Sequence, residues 1–131
     1  PAIEAGIRWI RLATPTTDEA RLPKVLQNAS GFIYYISILG ITGTASVPEQ
    51  ATREAVAYLK SHTDLPIVVG FGIKTPEAAA SISRNADAAV VGSAIVDRVL
   101  DGLDEKGVPQ PETAQHVLDF VRELANGVRG K

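Results

Sequence analysis

A chain of 131 residues can bury one hydrophobic core, but it is about half the ~250 residues that a closed (β/α)8 barrel requires. Thirteen basic against fifteen acidic residues leave a formal charge of -2, which excludes a basic footprint for nucleic acid. The lack of cysteine excludes disulfides, thiolate metal sites and thiol nucleophiles, and no apolar run approaches the ~20 residues of a membrane span. The N-terminus shows no charged region followed by an apolar signal core, so a cytoplasmic protein is expected.

Residues 1–6 read as the last turn of a helix with a glycine stop at Gly6, as though the chain enters mid-protein. Residues 7–13 form a strand-like run, and Thr14-Pro15-Thr16-Thr17-Asp18 makes a turn that can cap a helix reaching about residue 28. Residues 32–37 are aromatic and β-branched; the loop 38–45 then leads to Ser46-Val47-Pro48-Glu49, a capping-box pattern, and a helix to about residue 61. Residues 66–69 are a short apolar strand, and Thr75-Pro76-Glu77 opens a helix to about residue 85 with proline at its first position. Residues 88–91 are again uniformly apolar, as expected of a strand buried on both faces, and residues 93–100 suit a short extra helix. A last helix is expected over about residues 112–126. Ala114, Val117, Leu118, Val121 and Leu124 make its apolar side, and Glu112, Gln115, Asp119, Arg122 and Glu123 its wet side. Strands recurring every 23 to 33 residues or so suit successive βα units with parallel neighbours and right-handed crossovers, in one domain spanning residues 1–131.

In such a fold ligands sit on the loops after the strands, and three of these carry glycine. Gly40-Ile41-Thr42-Gly43 reads either as a lid or as a wide turn. Gly70 and Gly72 flank Phe71 at a strand end, giving either a backbone open to a ligand or close helix–strand packing. Gly92-Ser93 offers backbone N–H groups and a hydroxyl where a helix starts; alone it would be an ordinary cap. Together, glycine turns after two successive strands and a short extra helix suit a phosphate cradle. No lysine or arginine lies within these motifs, so backbone donors would hold the anion, with Lys74 as a possible neighbour.

Catalytic candidates are few. His62, at a helix end beside Ser61 and Thr63, and His116, within the last helix, read as structural, since catalysis needs positioned partners. Asp18, Glu19 and Glu49 suit first helical turns, while Asp64 and Asp87 suit turns before strands. Ser37 has no recognisable base, and Tyr34 reads equally as an inward-facing substrate contact or as core. No acid–base pair emerges.

Leu12-Ala13-Thr14-Pro15-Thr16-Thr17 with Arg21-Leu22-Pro23, residues 31–37 running into Gly40-Ile41-Thr42-Gly43, residues 65–73 and residues 90–96 together resemble the alpha subunits of tryptophan synthase. The glycine motifs are shared with other phosphate-binding barrels, whereas the tyrosine strand entering Gly-Ile-Thr-Gly is more specific. The resemblance implies the C-terminal half, (βα)5–8, of a TIM-type (β/α)8 barrel. Its chemistry would be the retro-aldol cleavage of indole-3-glycerol phosphate to indole and glyceraldehyde 3-phosphate in L-tryptophan biosynthesis. It implies substrate contacts at Tyr34, Gly43, Phe71, Gly72, Gly92 and Ser93. It implies no cofactor in this chain, pyridoxal phosphate belonging to a partner beta subunit in an alpha2beta2 complex. The family's catalytic glutamate and aspartate belong to the second and third βα regions, which do not match any part of this chain, so no catalytic residue is carried over and the chain alone is expected to be inactive. Ile38-Leu39 stands where some members carry an arginine or a more polar residue, and Asn85-Ala86-Asp87 stands in for a Gly-Ala-Asp turn, asparagine tolerating left-handed backbone. Unpaired strand edges also suggest self-association, and a non-enzymatic half-barrel that dimerises is the alternative reading.

Overall fold

The computed structural model describes residues 2–37, 49–70 and 72–130. In chain order these form β1 (Arg11–Ala13), α1 (Leu22–Leu26), β2 (Ile33–Ile36), α2 (Glu49–Lys60), β3 (Ile67–Gly70), α3 (Pro76–Ser83), β4 (Ala88–Val90), α4 (Ser93–Asp101) and α5 (Thr113–Arg129). The strands make one parallel sheet in the order β1-β2-β3-β4. The spacing of the βα units anticipates this parallel sheet, and it matches the half TIM barrel that the family resemblance implies.

Register separates the two faces. Leu12, Tyr34, Val68 and Ala88 are aligned across the sheet, so their side chains share one face, joined two residues on by Ile36, Gly70 and Val90. Ala13, Ile33, Tyr35, Ile67 and Val69 point the other way and pack against Leu22, Val56 and Leu59. A second cluster unites Ile73, Ala79, Ala94, Phe120 and Leu124 beneath α3, α4 and α5. Leu12, Tyr34, Ile36, Val68, Ala88 and Val90 belong to neither cluster. The helices therefore cover one face only.

The ends of the elements follow local chemistry. Thr75 Oγ1 accepts the Ala78 N–H at 3.2 Å, and Pro76 occupies the first turn of α3, where its missing N–H costs nothing. Gly6 adopts φ +76° and closes the turn over residues 2–6, the expected glycine stop. Helix α1 is shorter than expected: Asp18 Oδ1 accepts the Arg21 N–H at 2.9 Å before the helix begins, so Asp18 and Glu19 precede it rather than occupying its first turn. Asn28 at φ 60° then reverses the chain.

Four other expectations are corrected. Regular pairing on β1 begins only at Arg11; ahead of it Trp9 donates its N–H to Ser30 Oγ at 2.8 Å and its carbonyl accepts the Ser30 N–H at 3.0 Å, a local contact rather than a strand ladder. Strand β4 is not buried on both faces: Ala88 is exposed and Ala89 and Val90 are half-buried, because β4 is an edge strand, whereas all four residues of interior β3 are buried. On α5 Leu124 is buried as expected and Val117 is half-buried, but Leu118 and Val121 are 57% and 40% exposed, and Thr113 and Phe120 are buried in their place. Among the described residues Asn28, not Asn85, is the non-glycine residue with positive φ, and Asn85 instead directs its amide to the Ser81 carbonyl. The capping box at residues 46–48 lies outside the described residues.

Asp87 is more than a turn residue. Its Oδ2 accepts the Ile67 N–H at 2.7 Å and its Oδ1 accepts from Lys60 Nζ at 2.9 Å, so one carboxylate ties the end of α2 to the starts of β3 and β4. The Ile67 N–H, followed by Lys60, holds this carboxyl below its ordinary value. A depressed folded-state value means that the stabilisation is present above the unfolded value of about 3.9 and is lost as pH falls through the lower folded one. Asp87→Ala should therefore cost about 1–2 kcal/mol at pH 7, kept modest by solvent screening, and urea melts should show that difference shrinking below about pH 4. Gly127 offers a second test, since a Cβ there would sit 2.5 Å from the Pro76 carbonyl oxygen, where α5 crosses the start of α3. Gly127→Ala should destabilise by about 1–3 kcal/mol despite a helix-propensity gain near 1 kcal/mol, and should lower the midpoint of thermal unfolding.

Candidate ligand site at the carboxyl ends of the strands

Two backbone features meet where β3 and β4 end. Gly72 is exposed with φ +68°, a left-handed conformation that suits glycine, and no described atom would crowd a Cβ there. One strand over, Gly92 is the N-cap of α4, also exposed and uncrowded. No side chain caps α4, in contrast to Thr75 on α3; the Gly92 carbonyl accepts the Ile95 and Val96 N–H groups, the N–H groups before them have no intrahelical acceptor, and Ser93 is exposed. The arrangement can take an anion from backbone donors and a helix N-terminus, without a cationic side chain.

Tyr34 stands on the helix-free face, as its inward reading requires. Its ring leans along the strand toward Gly70, where a Cβ would meet Tyr34 Cζ at 2.7 Å and run into the hydroxyl. Gly70 is thus explained by the tyrosine lying over it rather than by approach of a ligand, which the sequence reading did not separate. Tyr34 and Gly70 lie on the strands that lead toward the cradle of Gly72, Gly92 and Ser93. Gly43 and Phe71 lie outside the described residues, as does the 38–45 loop.

The titratable candidates are accounted for by other roles. His62 Nδ1 lies 3.0 Å from Ser61 Oγ and 2.9 Å from the Tyr58 carbonyl, with its ring 4.6 Å from the Tyr58 ring, an arrangement that finishes α2. His116 is exposed on α5. Glu49 occupies the first turn of α2, where the helix dipole favours it. No group of three His, Asp or Glu side chains able to hold a metal occurs among the described residues. Ser37, missed as more than a strand end, is buried and lines a cleft of about 350 Å3 with Pro15, Tyr35, Thr52 and Tyr58. Burial there raises the Tyr35 hydroxyl above its ordinary value, and the cleft lies on the helix-covered face, away from the glycine cradle.

The family model of the tryptophan synthase alpha chain matches residues 1–129. The chain belongs to this family. Its fold superimposes on the tryptophan synthase subunit alpha of Legionella pneumophila str. Paris with a TM-score of 0.79 at 26% identity, covering 98% of this chain and 45% of that one. The Campylobacter jejuni alpha subunit gives 0.75 at 31% identity, covering 94% and 46%, and an aminoacrylate-bound tryptophan synthase from M. tuberculosis gives 0.76 at 29%, covering 98% and 43%. The chain therefore spans less than half the length of these relatives. No described helix is long and apolar enough to cross a membrane.

The packing of Tyr34 over Gly70 makes a direct test of how this alpha-chain half shapes its inner face. Gly70→Ala should displace the Tyr34 ring and cost about 1–3 kcal/mol. Truncating Tyr34 to alanine in that background should cost less than in the wild type, a non-additivity of at least ~0.5 kcal/mol in a double-mutant cycle read by chemical denaturation.

Proposed function

We propose that this chain is the phosphate-binding half of a tryptophan synthase alpha subunit, the lyase that cleaves indole-3-glycerol phosphate to indole and glyceraldehyde 3-phosphate in L-tryptophan biosynthesis. The observation that carries this reading is the uncapped start of α4 at Gly92-Ser93, set beside the left-handed Gly72 at the carboxyl ends of adjacent strands, within a chain of that family. The N–H groups at the start of α4 and the Ser93 hydroxyl would hold the phosphate, with Gly72 allowing close approach. Tyr34 would line the substrate beyond it, and Phe71 and Gly43 are proposed contacts on the family resemblance alone.

Binding and proton transfer divide between regions of the barrel. The family's catalytic glutamate and aspartate belong to βα regions that this chain does not match, so residues 1–131 alone should bind phosphate weakly and release no indole. The intact subunit would hand indole to a beta subunit that carries pyridoxal phosphate, so this chain would need no cofactor of its own, and a cytoplasmic biosynthetic enzyme suits that role. The alternative is a self-associating half-barrel without catalysis, whose signature would be a stable symmetric dimer.

Titration of the purified chain with glycerol 3-phosphate, followed by amide NMR shifts, should show saturable binding centred on residues 92–94. Gly92→Asp places a carboxylate where the anion would sit and should abolish the shifts while leaving the far-ultraviolet circular dichroism unchanged. Equal affinity in the two proteins would overturn the site, and indole release by the chain alone would overturn its proposed inactivity.

A further inference from the structure

Buried hydroxyl groups ordinarily find a hydrogen-bond partner, because leaving one dry and unpaired costs free energy. Two that find none, Thr52 Oγ1 and Tyr58 Oη, line the same cleft, the space of about 350 Å3 between β2 and α2. A helical threonine can return its hydroxyl to the carbonyl one turn back. Thr52 does not, although the residue is only 2% exposed. From the sheet side Tyr35 and Ser37, two residues apart and both buried, bring the hydroxyl-bearing side chains of the lining to four. The space exists because α2 presents Ala51 and Ala55 there: Val56 and Leu59 fill the core farther along the helix, and two methyl groups leave its first turns unfilled. The cleft lies inside the span of the sheet. Its lining comes from residues 15–58, and Tyr35 is paired with Ala13 on one side and Val69 on the other.

We propose that this cleft binds a small uncharged aromatic molecule carrying one hydroxyl or N–H group. Its volume falls at the lower end of the roughly 300–1,000 Å3 of small-molecule pockets, which suits one or two rings. The Tyr35 and Tyr58 rings and the alanine methyls supply flat apolar walls on which an aromatic ring can lie. Each of the two unpartnered hydroxyls can donate or accept, so a polar group on the ligand that reaches either one supplies the hydrogen bond that the fold withholds. Charge is excluded by what the lining lacks. No lysine or arginine is among the lining residues, and the Glu54 carboxylate is exposed and already accepts from the Gln50 amide, so an ionised group entering the cleft would be desolvated without a partner. The glycine cradle has the opposite preference, since its backbone donors suit an anion. The two sites lie on different faces of the sheet, and binding at this cleft does not rest on the lyase reading.

Amide NMR titrations of the purified chain with phenol, toluene and benzoate test this. Phenol should shift the amides of Ser37, Ala51, Thr52 and Ala55 saturably and leave Gly92 and Ser93 in place, whereas glycerol 3-phosphate should leave the cleft amides unmoved, so the two readings fail separately. Toluene, which has the ring without the hydroxyl, should bind the same amides roughly threefold to tenfold more weakly, the worth of one hydrogen bond. Benzoate should not saturate. Thr52→Val keeps the shape of the side chain and removes its hydroxyl, so it should weaken phenol by roughly the same factor, leave toluene unchanged and not lower the midpoint of thermal unfolding. Ala51→Phe should fill the cleft and abolish the shifts from both neutral probes with the circular dichroism retained. No saturable binding of phenol, benzoate binding as tightly as phenol, or equal phenol affinity in the wild type and Thr52→Val would each overturn the proposal. So would a clear loss of thermal stability in Thr52→Val, which would assign the hydroxyl to the fold rather than to a ligand.

Discussion

Parallel pairing is the constraint on which the rest of this structure depends. A strand can lie parallel to its predecessor only if the chain crosses back between them, and right-handed crossovers place successive helices on the same side of the sheet. Four strands in sequence order therefore put the helices on one face. The other face must be apolar to suit a barrel interior, yet it has no helix to cover it. The exposed Leu12 and Ala88 follow from that geometry, as does the presence of the ligand-facing loops together at one end of the sheet.

Within that frame the glycines do three different things, and residue type alone does not distinguish them. Gly127 lets α5 approach the backbone at Pro76, so it is a packing residue. Gly70 makes room for the Tyr34 ring, so it shapes the inner face. Gly72 and Gly92 have no described neighbour where a side chain would go, and one of them needs positive φ. Only this last kind leaves backbone donors open to a ligand, which is why the candidate site narrows to Gly72, Gly92 and Ser93. Asp87 contributes a different constraint. By joining Lys60, the Ile67 N–H and the start of β4, it fixes the strands that carry this site relative to the helix before them.

The order of elements was legible in the sequence because each βα unit carries its own local signals, such as Thr75-Pro76 at a helix start and the continuous apolar run of β3. What escaped was anything set by neighbours distant in sequence. Residues 88–91 read as buried on both faces, yet β4 has a neighbour strand on one side only. Leu118 and Val121 obey helical spacing, but α3 and α4 take hold of α5 through Phe120 and the expected Leu124, which leaves Leu118 and Val121 toward solvent. Asn85 had the chemistry for a left-handed turn, and Asn28 adopted it, because the chain had to reverse there between α1 and β2. The glycine motifs pointed to the strand ends, but a packing glycine differs from an open one only through what lies over it, as the Tyr34 ring lies over Gly70.

An anion held by backbone N–H groups depends on the α4 start being rigid rather than on a charged side chain being present. That rigidity is supplied from behind: Ala94 is buried with Ile73, Ala79, Phe120 and Leu124, and α5 packs on both α3 and α4. The long last helix thus acts as a brace for the short one, and the Thr113 hydroxyl, bonded at 2.5 Å to the Gly102 carbonyl, locks the join between them. The second cluster is built from residues after β3, whereas the first draws on β1, β2 and α2. The candidate cradle therefore stands on packing contained within the last two βα units and needs little from the rest of the sheet. Proton transfer is more demanding, since an acid and a base must meet across a closed interior, and that requires strands on both sides of the barrel. On the proposed reading, a chain that carries its own support for the candidate cradle, but only one wall of a barrel interior, would separate these two requirements physically.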